Sequence, residues 1–284
     1  MDRPAFIPPS PRVAGCMAGV VLALVLAAPA FAAVPLRYQG THILTLGAMV
    51  DLGRAFTAET GIEMEVVGGS CDGALKGVRD ATHTLGGLCC PASAKDLAGL
   101  PGRVIPIALD IKVVVVHPSN PIDSITLAQL RQVQGGEIRR WSELGGADQP
   151  IAVVYRNHCP QRGEPVLEQA VANRQYAVQG IQVFTSQDLV ESVARYRNGL
   201  GVVSRLFAGR ANVKTIRVGG VAPTPAAVAA GRYPLTGPLS LVVAEPVGAE
   251  TAAFLRFLKT TWARAILERH FIPLDLPRNL EGGE

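Results

Sequence analysis

The sequence predicts an α/β fold in which largely parallel strands are flanked by helices. The β-branched run Ile62–Val67 leads into a helical pattern from Asp72, and Ile151–Tyr155 leads toward a helical pattern over Pro165–Ala172. Alternation of this kind is typical of units that build parallel sheets. A hydrophobic content of 48% with 18% charged residues indicates an ordinary globular core and not a disordered chain.

Two runs in the middle of the chain, Val104–Leu109 and Val113–His117, are β-rich and hardly alternate between apolar and polar residues. Strands that are covered on both faces show this continuous pattern. We therefore expect two buried parallel strands here.

The remaining elements follow from apolar spacing and from capping residues. Leu46, Met49 and Phe56 lie on one side of a predicted helix, and Thr126 is the expected N-cap of another. The other predicted elements are, in chain order, strand Thr82–Leu88, a helix from Ser93 or Ala94 to Leu97, helix Leu127–Val133, a helix starting at Ser186, strand Leu200–Ser204, a helical turn within Ala222–Ala230, strand Pro238–Ala244 and one long helix Glu250–Arg269.

Residues 1–32 are predicted to be a secretory signal peptide. Arg3 and Arg12 precede the apolar run Met17–Leu26, and Ala30-Phe31-Ala32 has the A-x-A pattern of a cleavage site. An uncleaved membrane helix is the alternative, although the apolar run is short for a spanning helix. We expect a soluble periplasmic protein after cleavage near Ala32, with a flexible tail at 276–284.

The charge balance excludes one class of partner. Lys and Arg total 27 against 23 Asp and Glu, which gives a formal net charge of only +4, and the basic residues form no runs. Nucleic-acid binding therefore has no support in the sequence.

Four of the five cysteines follow the predicted signal peptide: Cys71, Cys89, Cys90 and Cys159. In an oxidising compartment they could form two disulfides in any of three connectivities. Pairing of Cys71 with Cys89 or Cys90 would join neighbouring loops, and a Cys89–Cys90 bond would be strained. These alternatives stay open at the level of the sequence.

Three loops each follow a predicted strand and precede a predicted helix. Gly68-Gly69-Ser70 leads to Cys71 at a helix start, Cys89-Cys90-Pro91 follows the next strand, and Arg156–Gly163 contains Cys159. Glycines let the backbone approach a ligand closely, and helix N-termini attract anions and favour reactive thiolates. Ligands in such sheets bind at the carboxyl ends of strands, so the three loops predict one shared site.

Several motifs occur in an order that resembles a known family. They are Gly40-Thr41-His42, Gly68-Gly69-Ser70, Ser119-Asn120-Pro121, Leu127-Ala128-Gln129-Leu130, Gly135-Gly136-Glu137-Ile138, Trp141 with Leu144-Gly145-Gly146, Arg156, and Gly231-Arg232-Tyr233-Pro234-Leu235. Over residues 36–272 the chain resembles the phosphate-type periplasmic solute-binding proteins of ABC importers, which have the type II periplasmic binding fold.

The resemblance implies a two-lobed molecule with a ligand cleft between the lobes. Each lobe would hold a mixed, mainly parallel sheet flanked by helices, with lobe 1 at 33–112 plus 237–275 and lobe 2 at 113–236. It also implies a monomeric binding protein without a cofactor, and not an enzyme. The expected partner is an ABC permease or a membrane histidine kinase.

The identity of the ligand follows less directly from the resemblance, because only some of the family's phosphate-binding residues are present. In the family, phosphate is held by a Ser, an Asp, and an Arg followed by Ser-Gly-Thr. This chain keeps Ser70 and Arg156, but the Asp position falls at Cys89, and Ser-Gly-Thr is replaced around Cys159. The predicted ligand-binding residues are Thr41, His42, Ser70, Cys71, Cys89, Cys90, Arg156 and Cys159.

Thiolates select soft ligands over hard oxyanions. Our main hypothesis is therefore a thiophilic ligand such as arsenite or a soft metal ion, held by Cys71, Cys89 or Cys90, and Cys159, with His42 or His158 as a further donor. The resemblance extends to arsenite-binding sensors that partner a histidine kinase. The alternatives are a phosphate-like oxyanion with the cysteines in disulfides, and an enzyme that uses Cys159 as a nucleophile with His158 or His42.

Overall fold

The structure is a computed structural model that describes residues 35–156, 180–277 and 279. The predicted signal peptide, the predicted helix Pro165–Ala172, and the loop with His158 and Cys159 lie outside the described residues. The described residues belong to one unit, which extends from Ala33.

The described strands, in chain order, are β1 (Leu36–Thr41), β2 (Met64–Gly69), β3 (Leu85–Leu88), β4 (Gly102–Val116), β5 (Ser124–Ile125), β6 (Ala152–Arg156), β7 (Ile181–Val183), β8 (Gly199–Ser204), β9 (Lys214–Val218), β10 (Thr236–Ala244) and β11 (Ile272–Pro273). They form a mixed sheet with the order β2-β1-β3-β10-β4-β8-β6-β7. β11 pairs with β4, and β9 pairs with both β4 and β5.

The described helices are α1 (His42–Leu44), α2 (Val50–Thr60), α3 (Cys71–Arg79), α4 (Ala94–Leu97), α5 (Leu127–Gly135), α6 (Ser186–Arg195), α7 (Arg205–Ala208), α8 (Pro225–Ala229), α9 (Ala249–Phe257) and α10 (Thr261–Glu268). A π-helical segment, Thr45–Met49, joins α1 to α2, and Trp141–Leu144 is a 3₁₀ helix. None of the helices in the described ranges has the length and apolar character needed to cross a membrane.

This arrangement confirms the predicted α/β fold with helices flanking a mixed sheet. Side-chain caps start the helices where the sequence places them: Thr126 accepts a hydrogen bond from the backbone N–H of Gln129, and Thr185 accepts one from Asp188. On one side of the sheet, Phe56 of α2 packs edge-on against Phe254 of α9, with ring centroids 5.3 Å apart. The predicted lobe boundaries stay a prediction.

The expectation of two parallel strands at Val104–Leu109 and Val113–His117 is wrong. Both runs belong to the single strand β4, which pairs antiparallel with β10, β11, β8 and β9. A continuous apolar pattern indicates that both faces of a strand are covered. It does not indicate whether the neighbouring strands are parallel or antiparallel. Asp110 and Lys112, which separate the two runs, pair with each other inside the protein (Nζ–Oδ2 3.1 Å).

The long helix predicted over Glu250–Arg269 is also wrong, because the structure has two helices there. Thr260 lies between them in an extended conformation (φ −71°, ψ 154°) and accepts a hydrogen bond from the backbone N–H of Ala263. A threonine cap competes with helix continuation. Trp262, which follows the break, is 46% exposed and contacts the ring of Phe257 edge-on at 6.1 Å.

Candidate functional site

Three parallel strands end at one edge of the sheet and bring two of the three predicted loops together. β1 ends at Thr41, which pairs with Gly69 at the end of β2, and β3 runs parallel to β1 on its other side. Ser70 follows β2, and the Cys89-Cys90 pair follows β3. Since the carboxyl ends of parallel strands share an edge, these loops start side by side, as the sequence predicts.

Beside this edge lies an open pocket of about 580 Å³, which is within the usual size range of ligand sites. We call it the Ser70–Arg156 pocket. Its described lining residues are Thr41, His42, Leu46, Gly69, Ser70, Arg156, Phe184, Thr185, Ser186, Gln187 and Phe207. Thr41 and Ser70 belong to predicted lobe 1, whereas Arg156 and Ser186 belong to predicted lobe 2, so the pocket is lined from both.

Two helices begin at this pocket. The Ser70 hydroxyl is the N-cap of α3 and accepts a hydrogen bond from the backbone N–H of Gly73 (3.0 Å). The Thr185 hydroxyl is the N-cap of α6 and accepts one from Asp188 (3.0 Å). The amide groups and the positive dipole ends at two helix N-termini therefore lie at one cavity, which favours negative charge.

Arg156 supplies a full positive charge. It is the last residue of β6 and is half-buried, with its side chain at the wall of the pocket. Its guanidinium presents donors in a planar fork that can bind two oxygens of an anion at once. Leu46 and Phe184 supply apolar surface at the same pocket and are 46% and 87% exposed.

A second, smaller cavity of about 40 Å³ shares Arg156 and Ser186 with the Ser70–Arg156 pocket and also contacts Lys112 and Ser204. Lys112 is buried and forms an ion pair with Asp110, which also accepts a hydrogen bond from the Ser204 hydroxyl (2.7 Å). Burial raises the pKa of the Asp110 carboxyl, and the neighbouring Lys112 opposes this effect. The Lys112 charge is thus balanced locally.

Asp110, Lys112 and Thr185 are not assigned to a site by the sequence patterns described above. A signal for the first two is their spacing: opposite charges at i and i+2 within a β-rich run lie on the same face of a strand. For Thr185, the signal is the capped helix start, since helix N-termini at strand edges form anion sites.

The three described cysteines do not line the Ser70–Arg156 pocket, contrary to the expectation that they face the ligand. Cys71, Cys89 and Cys90 are all buried, with exposed fractions of 0–2%. Thr41 connects them to the pocket, because its hydroxyl donates a hydrogen bond to Cys89 Sγ (3.2 Å). The apolar neighbours of β1, β3 and α3 pack over the sulfurs, and this packing was not visible in loop sequences.

No disulfide joins these three sulfurs to one another in the structure. Cys71 Sγ lies 3.7 Å from Cys89 Sγ, and Cys89 Sγ lies 3.9 Å from Cys90 Sγ, whereas a disulfide bond is about 2.05 Å long. Among the described residues, no histidine or carboxylate joins the three sulfurs in a common cluster. His42 instead lines the pocket and is exposed.

The structure thus brings Thr41, His42, Ser70 and Arg156 to one pocket and Cys71, Cys89 and Cys90 to one buried cluster. Their roles in binding stay predictions. Cys159 and His158 lie outside the described residues, so the predicted fourth sulfur and second histidine have no structural outcome.

Comparison with known proteins agrees with this geometry. Residues 44–260 match the family model described as "PBP superfamily domain". Phosphate-binding protein PstS of Bacillus subtilis is 27% identical to this chain over 120 residues, which cover 42% of this chain and 40% of that protein. Protein SphX of Synechococcus elongatus is 26% identical over 187 residues, which cover 60% and 55%. The chain therefore spans about half the length of these relatives, or less.

A solved structure extends the likeness to the fold as a whole. A Clostridium perfringens protein, assigned as a phosphate ABC transporter substrate-binding protein and solved with bound phosphate, superposes with a TM-score of 0.78 at 21% identity, covering 85% of this chain and 100% of that chain. Together with the family model, which covers more than half of the sequence, these findings show that this protein belongs to the PBP superfamily and has the fold of its phosphate-binding proteins.

Proposed function

We propose that this protein is a periplasmic solute-binding receptor that captures a small phosphate-like oxyanion in the Ser70–Arg156 pocket and delivers it to an ABC permease. One observation carries the proposal: the N-termini of α3 and α6 and the guanidinium of Arg156 all lie at the same cavity. The Bacillus subtilis relative and the Clostridium perfringens structure carry phosphate in their names, which supports the same class of ligand.

The pocket offers donors and positive charge for the oxygens of such a ligand. Ser70 and Ser186 line it and carry hydroxyls, and amide groups at both helix starts are near. Hydrogen bonds to an ionised group are stronger than neutral ones and contribute about 1.5–3 kcal/mol each. This arrangement stabilises binding of an oxyanion without any covalent chemistry, which favours a receptor over an enzyme.

The soft-ligand hypothesis does not apply to the Ser70–Arg156 pocket. The described thiols lie beneath the pocket, so the first contacts of an entering ligand would be with oxygen and nitrogen donors. Hard oxyanions suit these donors better than thiophilic species do. The oxyanion alternative is therefore our proposal for the pocket, and the sulfurs are considered separately below.

Replacing Arg156 by alanine tests the proposal. We expect phosphate affinity to fall by about 10- to 100-fold, because a charge-assisted contact worth roughly 1.5–3 kcal/mol is lost. Isothermal titration calorimetry of the reduced, mature chain with phosphate and arsenate measures this change. Arg232→Ala, at an exposed arginine outside the described pocket lining, is the matched control and should bind as the unmodified protein does. Equal binding by Arg156→Ala would refute the assignment.

The described lining of the pocket also predicts weak selection between oxyanions. It contains no Asp or Glu, because Cys89 stands where the family has a carboxylate and lies beneath the lining. A carboxylate would repel a fully deprotonated oxyanion but would accept a hydrogen bond from a protonated oxyanion. We therefore expect sulfate and phosphate to bind within about tenfold of each other at neutral pH. Competition calorimetry measures the ratio, and a preference for phosphate of a thousandfold would contradict this prediction.

A further inference from the structure

The sulfurs of Cys71, Cys89 and Cys90 form a compact triangle. All three lie within 4.8 Å of one another, with separations of 3.7 Å for Cys71–Cys89 and 3.9 Å for Cys89–Cys90. A three-coordinate metal with metal–sulfur bonds of about 2.3 Å, the length of a zinc–thiolate bond, would hold its sulfurs about 4.0 Å apart. Two sides of the triangle are therefore already close to the size that an ion requires.

The triangle is held by two separate segments of the fold. Cys71 is the first residue of α3, and Cys89 and Cys90 follow the last residue of β3 directly. Two groups donate hydrogen bonds to the sulfurs: the backbone N–H of Cys89 to Cys71 Sγ (3.4 Å) and the Thr41 hydroxyl to Cys89 Sγ (3.2 Å). Donors of this kind stabilise negative charge on sulfur, and the α3 N-terminus adds to that effect.

Tyr38 is a further polar group in this part of the fold, and its hydroxyl lies beside Gly40 and Gly87 at the ends of β1 and β3. Its hydroxyl is fully buried and has no hydrogen-bond partner among the residues that the structure describes. The nearby Thr45 hydroxyl donates to the Gly40 carbonyl (3.2 Å) instead. A buried hydroxyl without a partner is costly, and a negatively charged sulfur would accept a hydrogen bond from it.

The two segments that carry the buried sulfurs reach the protein surface next to them, since Ser70, Asp72 and Pro91, which neighbour the three cysteines in sequence, are all exposed.

We propose that Cys71, Cys89 and Cys90 form a binding site for a soft monovalent metal ion of the Cu(I) class, with the Tyr38 and Thr41 hydroxyls as outer donors to the ligand sulfurs. Thiolates select such ions. The described cluster offers three sulfur ligands, which is the number that a three-coordinate ion takes. Unlike the site expected from the sequence, this one does not require Cys159. It is also independent of the oxyanion proposal.

Binding is tested with the mature chain, fully reduced and kept under nitrogen. Cu(I) is titrated in competition with a chromogenic chelator, and Ag(I) serves as a redox-inert probe. We expect one ion per chain and three sulfur neighbours at about 2.3 Å in X-ray absorption spectra. Since loss of an outer-shell partner already costs about 10- to 100-fold in metal affinity, Cys71→Ser, Cys89→Ser and Cys90→Ser should each weaken binding by at least about 100-fold, and Tyr38→Phe by about tenfold.

Two variants serve as controls: Cys159→Ser and Arg156→Ala should both keep the Cu(I) affinity of the unmodified protein. A loss of Cu(I) binding in Cys159→Ser would overturn the three-sulfur site. Thermal unfolding of each metal-free variant shows whether it is folded.

A measurement without substitution supports or overturns the proposal even if a cysteine variant fails to fold. In the unmodified chain, at a urea concentration at which the metal-free protein opens and is alkylated at these buried residues, Cu(I) should protect Cys71, Cys89 and Cys90 from iodoacetamide, as measured by peptide mass spectrometry. Equal alkylation with and without Cu(I), or a disulfide among these three residues in protein isolated from the periplasm, would overturn it.

Discussion

Replacing Gly40 by alanine is expected to destabilise the protein by about 3 kcal/mol or more, because the new methyl group meets backbone as well as a side chain. A Cβ at Gly40 would lie 2.6 Å from Gly87 Cα, and it would also overlap the hydroxyl end of the Tyr38 ring. β1 and β3 pair here in parallel, with Gly40 directly opposite Gly87. Because the two glycines have no side chains, β1 and β3 can approach closely and the Tyr38 ring can pack against both. Urea unfolding followed by circular dichroism measures the loss.

Gly87→Ala is the matched comparison, since its Cβ would meet only the Tyr38 side chain at its nearest contacts. A smaller side chain at position 38 should therefore relieve this substitution but not Gly40→Ala. In double-mutant cycles with Tyr38→Leu, we expect a favourable coupling of at least about 1 kcal/mol for Gly87→Ala and clearly less for Gly40→Ala. Equal couplings would show that the backbone contact is not what limits position 40.

Replacing Lys112 by methionine is expected to destabilise the protein by about 3–5 kcal/mol at neutral pH. Lys112 and Asp110 have side chains that are only 4% and 1% exposed, and their charged atoms lie 3.1 Å apart. Methionine keeps most of the volume of the lysine but leaves the Asp110 carboxylate buried without its counter-charge. The Ser204 hydroxyl, which donates to Asp110 at 2.7 Å, offsets only part of this cost.

The free energy of unfolding of Lys112→Met is expected to change with pH in the direction opposite to that of most proteins in acid. Burial already raises the pKa of Asp110 above its ordinary value of 3.8, and removal of Lys112 removes the main opposing effect. Between the unfolded and the raised folded pKa, the folded state binds more protons than the unfolded state. The free energy of unfolding of Lys112→Met should therefore increase as pH falls through the folded pKa toward 3.8. A free energy that decreases over this range, as in most proteins in acid, would contradict the assignment.

Asp110→Asn in the Lys112→Met background is the control. The amide carries no charge and can still accept the Ser204 hydrogen bond. We expect the double variant to regain much of the lost stability and to lose the inverted pH dependence. If it is no more stable than Lys112→Met alone, the loss arises from packing and not from the unpaired charge.

Both predictions concern residues whose importance was visible only in the structure. The sequence places Gly40 in a turn-like motif and gives no sign that a ring from two residues earlier fills the space beside it. Asp110 and Lys112 interrupt an apolar run, which is why the sequence predicts two strands there. In the structure, the interruption is a buried ion pair on one face of a single strand, because residues i and i+2 point to the same side.

Patterns set by local chemistry were sufficient for a large part of the fold. Apolar periodicity, capping residues such as Thr126 and the order of strands and helices predict the α/β class, and the strand-end positions of the Ser70 and Cys89 loops predict that these loops lie together. These features depend on neighbours within a few residues of the chain. The motifs that resemble the periplasmic binding family added the expectations of a ligand cleft and of Arg156 as a ligand-binding residue, which stay predictions.

Strand direction, burial and charge pairing were decided by the tertiary structure alone. The continuous apolar pattern of β4 is compatible with parallel and with antiparallel neighbours, so the sequence does not predict its antiparallel pairing. The cysteines at the strand ends were expected to line the ligand pocket, but packing of α3 against β1 and β3 buries their sulfurs beneath Thr41. Each of these outcomes depends on contacts between residues that are distant in sequence. The free energies of such contacts are not determined by local sequence patterns.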